Sequence, residues 1–412
     1  MKALKLYLKS NVLWTFIDQS IVSGSTLVVS ILLVSYIGIE GFGIYSIYWM
    51  AVLLISGFHQ ALVIMPMYTL FPKMESLSEY IGELLREQLL FSLIAALLVT
   101  GIFFGANTIG YEVNLLHGVL LGLIAATFTL QDLLRRIMFV KSMAIEVVFV
   151  DIVNVGILPL TLIVMWAFYS VNLTSVLALI LCLKVLSIVL ALRFLSPVVA
   201  WKNCSSVRIQ HWESGKFLLA SSVLQWFSGN AFVLITGVLL GPASIGVLRI
   251  AQSILGVINV FFLFLENRVP IQAAKILHEG GQKAFNKYMV GESKKYLILL
   301  LISLFVLVVF HQPITSFLYG DAMQKFQWLI PTYCLLYLLI YVGTMLRFTF
   351  RTLDQNKILF YGYVVSAIVG LACVYPMIKW WGLTGAILGL FATQIATITT
   401  YTYYLNKNYD TI

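Results

Sequence analysis

The chain has 412 residues, of which 61% are hydrophobic and only 10% are charged, whereas an ordinary soluble domain is about 25% charged. So little charge cannot cover the surface of a water-soluble fold, which excludes a soluble domain of any size and makes lipid the solvent. The formal net charge is +9, but the basic residues flank apolar segments, which favours membrane orientation over nucleic-acid binding.

Apolar segments of about 20 residues, the length that crosses a bilayer as a helix, follow one another along the chain. The first comes after Lys2, Lys5 and Lys9, but it is too long for the core of a signal peptide and has no small-residue cleavage site. The predicted fold class is therefore all-α, a polytopic membrane protein. We predict twelve transmembrane helices, at 12–36, 43–70, 89–107, 115–131, 143–166, 173–195, 217–240, 246–269, 296–311, 328–345, 358–378 and 385–404.

The distribution of lysine and arginine predicts the orientation of these helices. If the first residue is cytoplasmic, all but four of the 26 basic residues lie in cytoplasmic segments or at their edges. The four exceptions are Lys184, Arg249, Lys325 and Lys379. Because positive charge is retained on the cytoplasmic side, we predict that both termini are cytoplasmic.

Two of the predicted cytoplasmic segments are amphipathic. Residues 72–88 place four glutamates opposite leucine and isoleucine, and residues 270–293 alternate apolar side chains with lysines. We predict that both segments are helices lying along the cytoplasmic membrane surface.

The two halves of the chain resemble each other. Gly38 and Gly43 in the first predicted outer loop correspond to Gly241 and Gly246 in a later one, and arginines close both the fourth and the tenth span. Six helices per half make the halves parallel repeats, a standard transporter plan. We predict lobes at 1–200 and 208–412 joined by a cytoplasmic linker at about 196–216, although chance placement of glycines in turns remains an alternative.

Ionisable side chains inside a membrane are costly, so each is a candidate functional group. Asp18 lies in the first span, Asp151 in the fifth, Lys184 near the centre of the sixth, and Arg249 one turn into the eighth with Gln252 three residues on. One interpretation is that these side chains line a water-filled cleft between the lobes.

Structural interpretations of the same residues are also open. Asp151 and Lys184 lie on consecutive helices, where they could form a buried pair that fixes packing. Arg249 is close enough to the outer surface to extend its guanidinium to water, and Asp18 is close enough to the cytoplasmic side to reach water there.

No motif for catalysis is visible. The five histidines are isolated, the four cysteines have no metal-ligand spacing, and no phosphate-binding loop or nucleophile motif occurs. The sequence therefore predicts no enzyme activity, no metal site and no cofactor.

Seven short segments of the chain carry a resemblance to a known group. They are Asn11–Trp14, Tyr36–Tyr45, Gln131–Arg136, Leu240–Ser253, Leu265–Pro270, Leu318–Gly320 and Gly382–Gly385. In these segments and in its span count the whole chain resembles the Wzx-like polysaccharide flippases of bacteria, which belong to the multidrug/oligosaccharidyl-lipid/polysaccharide (MOP) exporter superfamily.

The resemblance implies two six-helix lobes around a central cavity in the bacterial inner membrane. It implies alternating-access transfer of undecaprenyl-diphosphate-linked oligosaccharide from the inner to the outer leaflet for O-antigen, capsule or exopolysaccharide synthesis. Arg249, with Gln252 beside it, and Lys184 are the expected diphosphate and sugar contacts. Polysaccharide polymerase and assembly proteins are the expected partners, besides the substrate and the bilayer.

Two other functions remain open at this point. A multidrug cation antiporter of the same superfamily would use an acidic site, for which Asp18 and Asp151 are candidates as ion-coupling groups or as a structural pair. A membrane-bound glycan polymerase or acyltransferase would need catalytic residues and a large outer loop, and the sequence shows neither.

Overall fold

A computed structural model describes residues 2–71, 74, 76–108, 114–195 and 206–409. Within these ranges every regular element is a helix, as the composition predicts. The α-helices are α1 (Lys2–His59), α2 (Met65–Leu70), α3 (Leu77–Thr108), α4 (Leu115–Val140), α5 (Ala144–Asp151), α6 (Leu158–Phe168), α7 (Leu173–Leu195), α8 (Ser206–Leu240), α9 (Pro242–Val309), α10 (His311–Tyr319), α11 (Leu329–Thr352) and α12 (Asn356–Tyr409).

Three short helices of other kinds complete the described chain. A π-helix at Gln60–Ile64 joins α1 to α2, and another at Ile152–Gly156 joins α5 to α6. A 3-10 helix at Gly320–Phe326 follows α10. The predicted linker at 196–216 falls partly outside the described residues, which resume at the start of α8.

Eight continuous helical stretches in the described chain, and a ninth that bends by 42° within α8, are long and apolar enough to cross a membrane. Three of the eight, those containing α1, α9 and α12, are each two helices joined at one non-helical glycine: Gly38, Gly281 and Gly382. Divided at these glycines, the nine become twelve segments, which agrees with the predicted span count.

The three joining glycines have backbone angles that other residues rarely adopt. Their φ values are +72°, +67° and +56°, a region where a Cβ atom would meet the backbone. Each glycine therefore marks the place where one helix ends and the next begins without a loop.

The chain forms two compact units. The first unit contains Met1–Ile37 and Tyr45–Val223, and the second contains Gly38–Ile44 and Leu224–Ile412. In the first unit α4 packs against α3, α5 and α7, and in the second α11 packs against α9 and α12.

The prediction of a surface helix at 72–88 is wrong, whereas that of one at 270–293 stays a prediction. Residues 77–88 are the first turns of α3, and Tyr80, Ile81, Leu84 and Leu85 are buried in the core of the first unit. Residues 270–293 are the middle of α9, with the turn at Gly281 inside them. An amphipathic pattern reports an apolar face, but whether lipid or protein covers that face is decided by the fold.

Short turns of the same kind occur in both units. After α4, Ser142 has φ +61° and the amides of residues 141, 142 and 143 donate to the carbonyls of 137, 139 and 138. After α11, Asp354 has φ +54° and the amides of 353, 354 and 355 donate to 349, 351 and 350. Every donor and acceptor recurs 212 residues later, so α4 and α11 end in the same kind of turn at one constant offset.

The beginning of α9 packs closely on residues 38–44 in the second unit. A Cβ atom built on Gly43 would lie 1.9 Å from the carbonyl oxygen of Pro242, and one on Gly246 would lie 2.3 Å from the carbonyl oxygen of Ile39. These distances are far below van der Waals contact, so the two backbones can approach only because both positions are glycine.

The start of α8 belongs to the first unit and packs on the rest of that unit through polar contacts. The Tyr80 hydroxyl lies 2.8 Å from His211 Nε2, and His211 Nδ1 donates to the Leu62 carbonyl oxygen at 3.2 Å. This arrangement fits the neutral imidazole, with Nε2 accepting from the hydroxyl. Burial accordingly lowers the pKa of His211 below its ordinary value of 6.5.

Candidate functional site

Two buried carboxylates in the first unit share one guanidinium. Arg135 on α4 donates through Nη2 to Asp18 and through Nε to Asp151, and Gln131 Nε2 donates to Asp151 Oδ1 at 3.0 Å. Asp18 and Asp151 are each 1% exposed. Asp18 therefore does not reach water, and Asp151 pairs with Arg135 rather than with Lys184, so both of those structural interpretations are wrong.

Lys184 on α7 is held by neutral groups. Its ammonium donates to Asn154 Oδ1 at 3.2 Å and lies 4.5 Å from the centre of the Phe128 ring. The side chain is buried, and an ammonium over an aromatic face is stabilised by the ring quadrupole. The structure thus places Lys184 in the polar interior of the first unit.

A second ion pair lies one residue along α4. Asp132 accepts from Arg136 Nε at 3.1 Å and from Gln60 Nε2 at 2.9 Å, and His59 Nδ1 lies 3.6 Å from the same carboxylate. The other ring nitrogen, His59 Nε2, is hydrogen-bonded to Gln88 at 2.8 Å. Sequence reasoning missed this group because its members come from three separate helices.

Both π-helices contribute a side chain to these polar groups. Gln60 begins the first, and Asn154 lies in the second, which starts directly after Asp151. A π-turn inserts an extra residue into a helix and changes which side chains face inward, a feature common at functional sites. Here the change brings two amide side chains next to buried charges.

The ion pairs and Lys184 form a cluster of buried charges whose signs balance; Glu83, also buried in the first unit, is not part of it. Three carboxylates are matched by three basic groups: Asp18, Asp132 and Asp151 by Arg135, Arg136 and Lys184. A balanced cluster of this kind has little electrostatic attraction for another ion, because attraction by the groups of one sign is offset by repulsion from the groups of the other sign.

Arg249 in the second unit has a different environment. Its Nη1 donates to Gln252 Oε1 at 2.7 Å and its Nη2 to Asn230 Oδ1 at 3.0 Å. Gln252 in turn donates to the Tyr333 hydroxyl at 3.3 Å. All of these partners are neutral, and no carboxylate of the described chain forms an ion pair with Arg249.

The direction of the Arg249 side chain follows from its partners. Gln252 lies further into α9, and Asn230 lies ten residues before the end of α8. The guanidinium therefore points towards the middle of these helices, which favours a role inside the protein over the interpretation that it extends to water at the outer surface. A half-buried cation with neutral hydrogen-bond acceptors is suited to binding an anion, which would supply the missing charge.

The structure brings together only some of the predicted site residues. Asp18 and Asp151 meet at Arg135, Lys184 lies in the same unit, and Arg249 with Gln252 lies in the second unit. Arg135 and Asn230 were not predicted as site residues. The motif Gln131–Arg136 was the available signal for Arg135, since four of its six side chains are polar within an apolar span.

No protein-family model matches the chain, and no curated protein sequence matches it. Solved structures do match over nearly all of its length. The lipid II flippase MurJ in an inward closed conformation is 14% identical, with 96% of this chain and 87% of that chain covered and a TM-score of 0.73. An outward-facing multidrug resistance MATE family transporter of the MOP superfamily is 12% identical, with 95% and 93% covered and a TM-score of 0.68.

A MATE transporter from Vibrio cholerae is also 12% identical, with 99% of both chains covered and a TM-score of 0.66. Because the sequence identities are only 12–14%, these structural similarities show the fold alone. The chain is therefore a multi-pass membrane protein with the fold of MOP superfamily transporters, which confirms the predicted fold class.

Proposed function

We propose that this protein is a flippase that moves undecaprenyl-diphosphate-linked oligosaccharide repeat units across the bacterial inner membrane for surface polysaccharide synthesis. The observation that carries the proposal is the environment of Arg249. Its guanidinium has hydrogen-bond acceptors but no carboxylate partner within the described chain. A diphosphate would therefore supply the negative charge that neutralises it.

The neutral partners of Arg249 also suit a site that must release its ligand. Gln252 and Asn230 hold the guanidinium in place when the site is empty, so the cation is preorganised at a small cost in side-chain entropy. Because neither carries a charge, a diphosphate does not have to displace a competing carboxylate. Binding and release can then both be fast.

We propose that transfer proceeds by alternating access. The isoprenoid chain stays in the bilayer while the sugar crosses within the protein. The termini are cytoplasmic. Lys184 contributes less to diphosphate binding than Arg249, because it already belongs to the balanced charge cluster of the first unit.

A multidrug cation antiporter is the second candidate, favoured by the buried carboxylates Asp18 and Asp151. A cation entering that site would have to displace Arg135, which is bonded to both carboxylates. We therefore propose that Asp18 and Asp151 are a structural pair held by Arg135 and that they do not bind the coupling ion.

The test is complementation of a strain that lacks this protein. Wild type should restore surface polysaccharide and clear the lipid-linked repeat units that accumulate inside, whereas Arg249→Ala should not, and Arg249→Lys should restore part of the flux. Arg208→Ala is the matched control, because that arginine, at the start of α8, is exposed and pairs with Glu87.

The outcomes separate the two candidates. If deletion changes neither polymer nor intermediates, the flippase proposal fails. Increased susceptibility of the deletion strain to cationic drugs would then favour the antiporter. If Arg249→Ala restores polymer as well as wild type does, the assignment of the site is wrong.

A further inference from the structure

The repeat relates Arg135 in the first unit to Arg347 in the second. The turns after α4 and α11 have the same hydrogen bonds at an offset of 212 residues, and the same offset carries position 135 to 347. Both positions hold arginine, and both lie five residues before the end of their helix.

The carboxylates that neutralise Arg135 have no acidic counterparts in the second unit. Asp151 corresponds to Tyr363 at the offset of 212, and Asp18 corresponds to position 221, a serine, at the offset of 203 that relates Gly38 to Gly241. The repeat has therefore kept the cation and replaced both acids with neutral residues.

The contacts of Arg347 agree with this comparison. Its Nη2 donates to Thr344 Oγ1 at 2.8 Å, on the same helix one turn earlier. The residue is half-buried, and no ion pair in the described chain includes it. Arg351, one turn further on, is by contrast 62% exposed at its side chain and lies 3.6 Å from Glu266.

We propose that Arg347 is a second binding site for a phosphate or diphosphate group, in addition to Arg249. This inference rests on the proposed function, because it extends the same anion path within the second unit. The site consists of a guanidinium oriented by Thr344, at a position where the other half of the protein places two carboxylates.

The two cations lie at different depths. Gln252, the partner of Arg249, bonds to Tyr333, and Arg347 is 14 residues further along α11 than Tyr333. At 1.5 Å per residue this is about 21 Å along the helix. A diphosphate is much shorter, so one ligand cannot contact both arginines at once.

Arg347 is the nearer of the two to the predicted cytoplasmic side. It would therefore receive the diphosphate first, and Arg249 would receive it second. Two sites of similar chemistry at successive depths lower the barrier to moving a charged group through an apolar protein, because the group is never far from a counter-charge.

The test is isothermal titration of the purified full-length protein with inorganic pyrophosphate and, separately, with farnesyl diphosphate. Wild type should bind two equivalents. Arg347→Gln and Arg249→Gln should each bind one, while the paired Arg351→Gln should still bind two. Arg347→Lys should still bind two equivalents, which would show that the equivalent lost in Arg347→Gln depends on the positive charge.

A second variant tests the repeat directly. Tyr363→Asp should place a carboxylate beside Arg347 as Asp151 does beside Arg135, so it should reduce binding to one equivalent without removing the arginine. The unfolding temperature of each variant establishes that the protein is folded. If farnesyl diphosphate binds twice and pyrophosphate does not, the site serves the lipid-linked headgroup; if both bind twice, it accepts either source.

Three results would overturn the inference. If Arg347→Gln is folded and still binds two equivalents, Arg347 is not a site. If wild type binds one equivalent, lost in Arg249→Gln alone, the second site is absent although the proposed function stands. If wild type binds neither probe at all, both the proposed function and this inference fail.

Discussion

Replacing Arg135 with glutamine removes the guanidinium that Asp18 and Asp151 share. Removing one partner of a buried ion pair costs about 3–5 kcal/mol, because the remaining charge is left uncompensated. Here two buried carboxylates lose their partner while glutamine retains some hydrogen bonding, so we expect a loss at the upper end, about 5 kcal/mol. That is a large share of the roughly 5–15 kcal/mol that holds a typical protein folded.

The assay is equilibrium unfolding of the detergent-solubilised protein, followed by the fluorescence of its nine tryptophans. Adding Asp18→Asn and Asp151→Asn to Arg135→Gln should recover most of the lost stability, since no uncompensated charge remains. Arg208→Gln, which removes an exposed pair with Glu87, should unfold like wild type.

The rescue is the decisive comparison. A purely steric defect at Arg135 would not be repaired by removing two negative charges from other helices. If Arg135→Gln loses no more than about 1 kcal/mol, as exposed pairs do, or if the triple variant is no more stable than the single one, then the three groups are not a charge-coupled cluster.

Three other predictions follow from the packing and the charges. Gly43→Ala should destabilise the protein by about 1–3 kcal/mol in the same unfolding assay, because its Cβ would overlap the Pro242 carbonyl oxygen. The control Gly24→Ala, whose Cβ would meet no atom within 4 Å, should be neutral or slightly stabilising. Equal stability of the two variants would contradict the close approach of Gly43 to Pro242. The depressed pKa of His211 means that the unfolded chain takes up a proton at a higher pH than the folded one, so stability should be full above pH 6.5 and fall as the pH drops below it. Thermal unfolding between about pH 7.5 and 5.5 should show this fall in wild type and a flatter profile in His211→Gln, and equal profiles would exclude His211 as the cause. Lys184→Gln should lower stability, because the cluster of Asp18, Asp132 and Asp151 would keep only two of its three cations. It should leave the number of bound pyrophosphate ions unchanged, and loss of an equivalent would assign Lys184 to the anion path.

The helical segments were predictable because their determinants are local. A run of about 20 apolar residues specifies a spanning helix whatever surrounds it, and glycines at positions 38 and 382 lie where a positive φ ends one helix and begins the next. The proximity of Gln252 to Arg249 was also predictable, since residues three apart share a helix face.

The burial of residues 77–88 and the ion pairs were not predictable, because their determinants are not local. Residues 77–88 show an apolar face whether that face meets lipid or α4, and the sequence does not distinguish the two. The sequence suggested a pair between Asp151 in the fifth span and Lys184 in the sixth, because consecutive spans are neighbours. In the structure the partner of Asp151 is Arg135 on α4.

The sequence by itself thus determined that this protein lies in a membrane and which charged residues are in its spans, and it predicted two repeated halves. The tertiary structure decided which of those charges are neutralised. Asp18 is 117 residues from Arg135 along the chain, and their contact depends on how three helices pack. A charge in an apolar protein is functional or structural according to its neighbours, and neighbours contributed by distant helices are a property of the fold.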